Sequence, residues 1–220
     1  MTDTTVSTDG THGGRDDLDP TASAPGLRRL STRSFGTLLV VLGAIGFGGA
    51  MWLAVEKIFK LQDPDRVTSC SINVFLDCGI AMGSWQGSLL GFPNPFLGVA
   101  AFPVVITTGV VLLVGARLPR WYMLSLLAGT ALGMALILFL MWTSFYALVA
   151  LCPACMVVWT IMWPLLWVQV VHAVQTGDLP AGESLRRVIV GSRWVILAIG
   201  YVVAVAWLLL AVGPALIASF

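Results

Sequence analysis

Long apolar stretches separated by short polar ones set the pattern of this chain. Five are long enough to span a membrane, at about 35–55, 95–116, 121–148, 152–173 and 194–213. Crossing ~30 Å of hydrocarbon takes roughly 20 helical residues. Helices are the expectation, because a chain in lipid must satisfy its own backbone hydrogen bonds. Gly43, Gly46, Pro103 and Pro164 fall inside these stretches, where lipid-embedded helices tolerate them. "GTALG" at 129–133 has the small-xxx-small form that lets helices approach closely, and plain packing is its simplest reading. Residues 1–34 are polar and rich in Thr, Asp, Ser, Gly and Pro, which predicts a disordered tail. That tail is too long and too acidic to lead a signal peptide, so the first apolar stretch is expected to be an uncleaved anchor. No tandem repeat is visible.

Composition agrees. The 220 residues are 58% hydrophobic and only 10% charged, with mean hydropathy +0.91, whereas a soluble domain carries about 25% charged residues. A net charge of +1 gives no case for nucleic-acid binding. Between Asp77 and Asp178 there is no Asp, Glu or Lys, and the only charges are Arg117 and Arg120. Intramembrane carboxylates mark many proton and cation pathways, so their lack argues against an ion-coupled transporter.

The basic residues predict orientation. Arg28, Arg29 and Arg33 precede the first span, Arg117 and Arg120 follow the second, and Arg186, Arg187 and Arg193 lie between the fourth and fifth. With five spans these groups share one side, and the other keeps Lys57, Lys60 and Arg66. The positive-inside rule then puts the N-terminus in the cytoplasm and the 56–94 loop outside.

This topology places all four cysteines, Cys70, Cys78, Cys152 and Cys155, on the outer, oxidising face, where disulfide chemistry is permitted. "CPAC" reads as a helix start, with Cys152 as cap, Pro153 at the first position and Cys155 in the first turn. An i, i+3 pair lies within bridging distance, and a helix N-terminus favours thiolate. The other pair, "CSINVFLDC", closes a small loop. The uncharged stretch after it, "GIAMGSWQGSLLGFPN", is too short to span and is expected to lie in the interface as a half-helical lid. "NPFLG" then starts the second span, with Asn94 as cap and Pro95 at the first position.

Three readings fit four outer cysteines: static braces, a soft-ligand site for zinc or copper(I), or two dithiol pairs passing electrons in series. The metal reading is weakened by the lack of nearby histidine. His12 is in the tail, and His172 is expected at the interface on the opposite side. The redox reading gains from the position of CPAC at the membrane edge. A dithiol there can reduce a lipid-soluble two-electron acceptor, for which a quinone is the natural candidate. Its pocket would be apolar with few polar contacts. Trp159, one turn from Cys155 on the same face, would line it, although an aromatic at that spacing also serves simple packing.

Taken together, Cys70 and Cys78, Ser84 six residues on, "FPNPFLG" and a CxxC opening a later span resemble the vitamin K epoxide reductase family over roughly residues 35–175. The resemblance implies an all-α membrane protein whose four-helix core surrounds a quinone of menaquinone or ubiquinone type. It implies that Cys152 and Cys155 form the active-site disulfide, with Cys155 nearest the quinone ring. Cys70 and Cys78 would shuttle electrons from a partner. Ser84 would order the loop-to-lid segment, and Asn94 would hydrogen-bond a quinone carbonyl. Vertebrate members carry Tyr where this chain has Trp159, so an indole N–H stands in place of a hydroxyl.

The organisation expected is a cytoplasmic tail 1–34, a core 35–175 with outer redox loop 56–94, a cytoplasmic loop 176–193, and a fifth span with short tail over 194–220. Nothing after the fourth span is long enough for a thioredoxin-like domain, so that partner is expected as a separate chain on the outer face. The expected activity is quinone-coupled thiol oxidation in the cell (inner) membrane, supporting disulfide formation in exported proteins. Reduction of vitamin K epoxide and a non-catalytic scaffold with structural disulfides are the alternatives.

Overall fold

A computed structural model describes residues 30–71, 77–148 and 151–217. The elements are α1 (Thr32–Gln62), α2 (Cys78–Gly83), a 3-10 turn (Trp85–Ser88), α3 (Pro95–Leu113), α4 (Arg120–Thr143) running into a π turn (Ser144–Leu148), α5 (Pro153–Thr176), α6 (Glu183–Gly191) and α7 (Arg193–Ile217). Five helices are long and apolar enough to cross a membrane: α1, α3, α4 with its π turn, α5 and α7. The chain is an all-α, multi-pass membrane protein. Most of the expected tail lies outside the described residues.

Helix α1 begins where Ser31 Oγ accepts the Ser34 N–H at 3.1 Å, an N-cap that stabilises a free backbone donor. The helix is longer than expected at both ends. Its 31 residues rise ~46 Å, more than the hydrocarbon thickness. The segment "EKIFKLQ" holds no Gly or Pro, so the helix runs on until Asp63 and Pro64. The loop expected from residue 56 therefore starts at Asp63, and Glu56 and Lys57 sit on a rigid helix.

Helices α1 and α3 approach closely. A Cβ on Gly109 would lie 2.7 Å from the Gly36 carbonyl oxygen, and one on Gly36 would lie 2.9 Å from the Gly109 carbonyl oxygen. Only glycine at both places lets the backbones meet. The "GTALG" motif is divided: a Cβ on Gly133 would lie 3.1 Å from Met162 Cε of α5, a packing contact. A Cβ on Gly129 would meet nothing within 4 Å, and both Gly129 and Gly133 line a cavity.

Buried polar pairs join the other helices. The Gln169 amide donates to Thr130 Oγ1 at 3.0 Å across α4 and α5, and the Thr108 and Tyr122 hydroxyls are 2.7 Å apart across α3 and α4. At the end of the bundle away from the cysteines, the Leu30 N–H donates to Gln175 Oε1 at 3.2 Å. Arg120 meets Asp178, donating to its carbonyl at 2.7 Å. Gly177, at φ +81°, ends α5 in the left-handed conformation that glycine adopts most readily. His172, expected at the interface, is half-buried and stacks on Phe35 with ring centroids 3.9 Å apart, because α1 and α5 are packed together there.

The fifth spanning helix lies outside the four-helix core, against α5. Trp163 Nε1 donates to the Leu197 carbonyl at 3.3 Å, Trp167 Nε1 to the Arg193 carbonyl at 2.8 Å, and the Tyr201 hydroxyl to the Thr160 carbonyl at 2.7 Å. Between α5 and α7 the chain forms the short helix α6 where a plain loop was expected.

Gly109→Val should lower the thermal midpoint in detergent, since forcing side-chain atoms into a close-packed seam costs about 1–3 kcal/mol. Gly129→Ala should leave the midpoint within error. Equal losses in the two variants would place the close approach elsewhere.

Candidate redox centre

Each cysteine is fixed by its local sequence. Cys152 is the N-cap of α5 and Pro153 opens the helix. The Cys155 backbone N–H points back to Cys152 Sγ at 3.3 Å. This is the arrangement expected from "CPAC". Cys78 opens α2, whose cap is Asp77; the Asp77 carboxylate accepts the Gly79 N–H at 2.7 Å and a bond from the Ser71 hydroxyl. The Ser69 hydroxyl bonds Glu56, and Trp52 Nε1 donates to Ser69 Oγ at 3.3 Å. Ser69 thus ties the Cys70 segment to α1, while Asp77 ties it to α2.

These ties bring three sulfurs together. Cys70 and Cys78 form a disulfide with Cα atoms 5.8 Å apart. Cys152 and Cys155 are free thiols. Cys152 Sγ lies 3.0 Å from Cys78 Sγ, although the two residues are 74 positions apart in sequence. The sulfurs of Cys70, Cys78 and Cys152 all fall within 4.8 Å of one another. Such a cluster could suit a soft metal ion, but two of its members are bonded to each other here. Leu53, Met82 and Ala154 bury the group, with Cys70 3%, Cys78 0% and Cys152 2% exposed. These sulfurs can react with one another but are closed to a bulky reagent.

The Cys152 thiol is held below its ordinary pKa. A hydrogen bond from the Cys155 thiol is the main cause, assisted by the backbone N–H groups of Cys155 and Ala154 at the helix start; burial and the Asp77 carboxylate oppose it. The favoured thiolate therefore sits where it can reach Cys78.

Beside the sulfurs opens a cleft of about 750 Å³ lined by α1, α3, α4, α5 and the lid, a size usual for organic ligands. Cys155, Ser84, Asn94 and Trp159, all picked out from sequence, line it. Trp159 also packs edge-on against Phe145 of the π turn. The lid differs from a single half-helix. It breaks at Ser84 into α2 and the 3-10 turn, and the Ser84 carbonyl accepts the Gly87 N–H at 3.1 Å. Asn94 makes no side-chain cap bond. Its Oδ1 accepts the Leu89 N–H at 3.2 Å and its amide donates to the Gln86 carbonyl at 2.6 Å. The amide braces the lid and keeps a second N–H for a ligand.

Sequence reasoning missed several lining residues. Lys57 was counted only as an outer charge, yet it lines the cavity and its Nζ donates to the Met82 carbonyl at 2.5 Å. Gln86, Tyr122 and Thr130 also contribute polar groups. The usable signal was a cation at the end of a spanning helix.

A family model described as Vitamin K epoxide reductase family matches residues 37–170, which takes in most of α1 to α5 and leaves α7 outside. No curated protein matches the chain.

Two outcomes check the geometry. In Cys70→Ser/Cys155→Ser only Cys78 and Cys152 remain, and mild oxidation should join them rapidly, read by peptide mass spectrometry. Cys78→Ser/Cys155→Ser should crosslink Cys70 to Cys152 more slowly; equal rates would contradict the placement. Separately, Cys155→Ala removes the main influence lowering the Cys152 pKa. Less Cys152 is then thiolate at neutral pH, so the pH midpoint for its alkylation by a small reagent should move upward.

Proposed function

The chain belongs to the vitamin K epoxide reductase family, and from that premise we propose that it is a quinone-dependent thiol oxidase that reoxidises a thioredoxin-like partner. The observation that carries this reading is the 3.0 Å contact between Cys78 and Cys152 beside a cavity that Cys155 lines. It links a surface-segment disulfide to a ligand-sized apolar chamber through one sulfur exchange.

The relay runs as follows. A partner thiolate attacks Cys70 and releases Cys78 as thiolate. Cys70 takes this role because Cys78 is the sulfur that touches Cys152. Since Cys70 is buried, its segment must shift for the partner to reach it. The partner's second thiol resolves the mixed disulfide. Cys78 then attacks Cys152 of a Cys152–Cys155 disulfide, and Cys155 is released. Cys70 displaces Cys152 from Cys78, which restores the outer disulfide and leaves the free pair seen here.

A quinone in the cavity would accept two electrons and two protons from that pair. Of this chain's residues, Cys155 faces it, the spare Asn94 amide N–H would donate to a carbonyl oxygen that gains charge, and Trp159 forms part of the wall. Ser84 sets the break that folds the lid over the chamber. The membrane in question is the cell (inner) membrane, with the cysteines on its extracytoplasmic face. The positive-inside distribution supports this orientation.

Cys152→Ser and Cys155→Ser should each abolish quinone reduction by the reduced protein while leaving it folded in the membrane. Normal turnover in either variant would refute the relay. Asn94→Asp keeps the acceptor for the Leu89 N–H but loses both amide N–H groups, the one on the Gln86 carbonyl and the one offered to the quinone, and should lower kcat/KM for quinone by at least about 10-fold. Assaying vitamin K epoxide alongside quinone separates the two family chemistries: consumption of epoxide with inertness toward quinone would favour the reductase reading.

A further inference from the structure

Among the described residues, Lys57 is the only charged side chain lining the cavity. Lys57 is half-buried near the outer end of α1, so its ammonium borders the chamber at the membrane edge. Its neighbour Glu56 does not neutralise it. The Glu56 carboxylate is engaged by the Ser69 hydroxyl and accepts the Ser69 N–H at 3.4 Å. Arg120 and Asp178 pair at the other end of the bundle, far from Lys57. Lys57 spends one N–H on the Met82 carbonyl, and an ammonium has two more. Lys57 shares the chamber with Cys155, Ser84 and Asn94. Because α1 continues unbroken to Gln62, it holds the Lys57 backbone rigidly at the chamber wall.

We infer that Lys57 is a catalytic residue of quinone reduction, its ammonium binding the quinone oxygen that becomes anionic and delivering a proton to it. This rests on the quinone-reductase reading above. The balance closes within the site. The Cys152 and Cys155 thiols lose two electrons and two protons as their S–S bond forms, and the quinone gains both pairs as it becomes quinol. Lys57 gives one proton to the quinone oxygen and regains one of the two that the thiols release as they oxidise, the other going to the second quinone oxygen, so it ends the turnover unchanged. The bond to Met82 has a second consequence: the same ammonium that meets the acceptor holds α2 of the lid, so lid and charge are positioned together.

The test uses the full-length, fully reduced protein in detergent with a short-tail benzoquinone and a short-tail naphthoquinone. Three variants are compared: Lys57→Met, which is uncharged; Lys57→Gln, which is uncharged but keeps an N–H for the Met82 carbonyl; and Lys57→Arg, which keeps the charge. Exchange of the outer disulfide with a small dithiol serves as the folding control. Lys57→Met and Lys57→Gln should both lose about 100-fold in kcat, the usual effect of removing one donor to a developing oxyanion. Lys57→Arg should recover at least about 10-fold of that loss, since it restores the cation. If Lys57→Gln recovers as well as Lys57→Arg, the residue is a lid anchor only and the inference fails. Wild-type kcat in Lys57→Met overturns it too. A wild-type protein that reduces neither quinone overturns the quinone reading and this inference together.

Discussion

The contact between Cys152 and Cys78 is the constraint on which the rest of the structure depends. Thiol–disulfide exchange needs direct sulfur contact, and these two sulfurs belong to segments with no local reason to meet. Cys152 caps a spanning helix, while Cys78 opens a six-residue helix on a loop. The meeting is arranged by polar ties at the membrane edge. Ser69 links the loop to Glu56 and Trp52 of α1, and Asp77 collects Ser71 and Gly79. These ties fasten the loop to α1 and to the start of α2, and α1 is held by the glycine seam with α3.

That frame also explains why the chamber sits where it does. The tight α1–α3 approach contrasts with Gly129 of α4, which leaves space open on the cavity side. The polar groups lining it include Lys57 from α1, Ser84 and Gln86 from the lid, Asn94 at the start of α3, and Thr143 and Ser144 where α4 meets the π turn. The fifth spanning helix reaches this region indirectly. Trp207 stacks edge-on against Phe145 with ring centroids 5.3 Å apart, and Phe145 in turn contacts Trp159 on the cavity wall. Trp207 Nε1 also donates to the Tyr146 hydroxyl at 3.1 Å, so α7 supports the π turn from outside the core.

Much of this was legible in the sequence, for physical reasons. Apolar length identifies spans because lipid forbids most alternatives, and "CPAC" announced its helix start because Pro153 suits only the first turn. Of the residues picked out from sequence, Cys155, Ser84, Asn94 and Trp159 line the chamber, and Cys70, Cys78 and Cys152 lie together beside it. What escaped depends on contacts distant in sequence. The role of Asn94 as a lid brace is set by the carbonyl of Gln86 and the N–H of Leu89, which no cap rule anticipates. Whether "GTALG" packs or lines a chamber depends on what faces it. Lys57 looked like one of several outer charges, because a count of basic residues locates a side of the membrane and not a direction toward a cavity.

The central claim is that electrons travel between the outer pair and the chamber by way of Cys152 and Cys155. The most direct measurement starts from fully reduced protein, adds one equivalent of a short-tail quinone, quenches at successive times and maps disulfides by mass spectrometry. The account predicts that the Cys152–Cys155 bond appears first and then decays as Cys70–Cys78 forms, ending in the bonding pattern seen in the structure. Formation of Cys70–Cys78 with no earlier Cys152–Cys155 bond would contradict it.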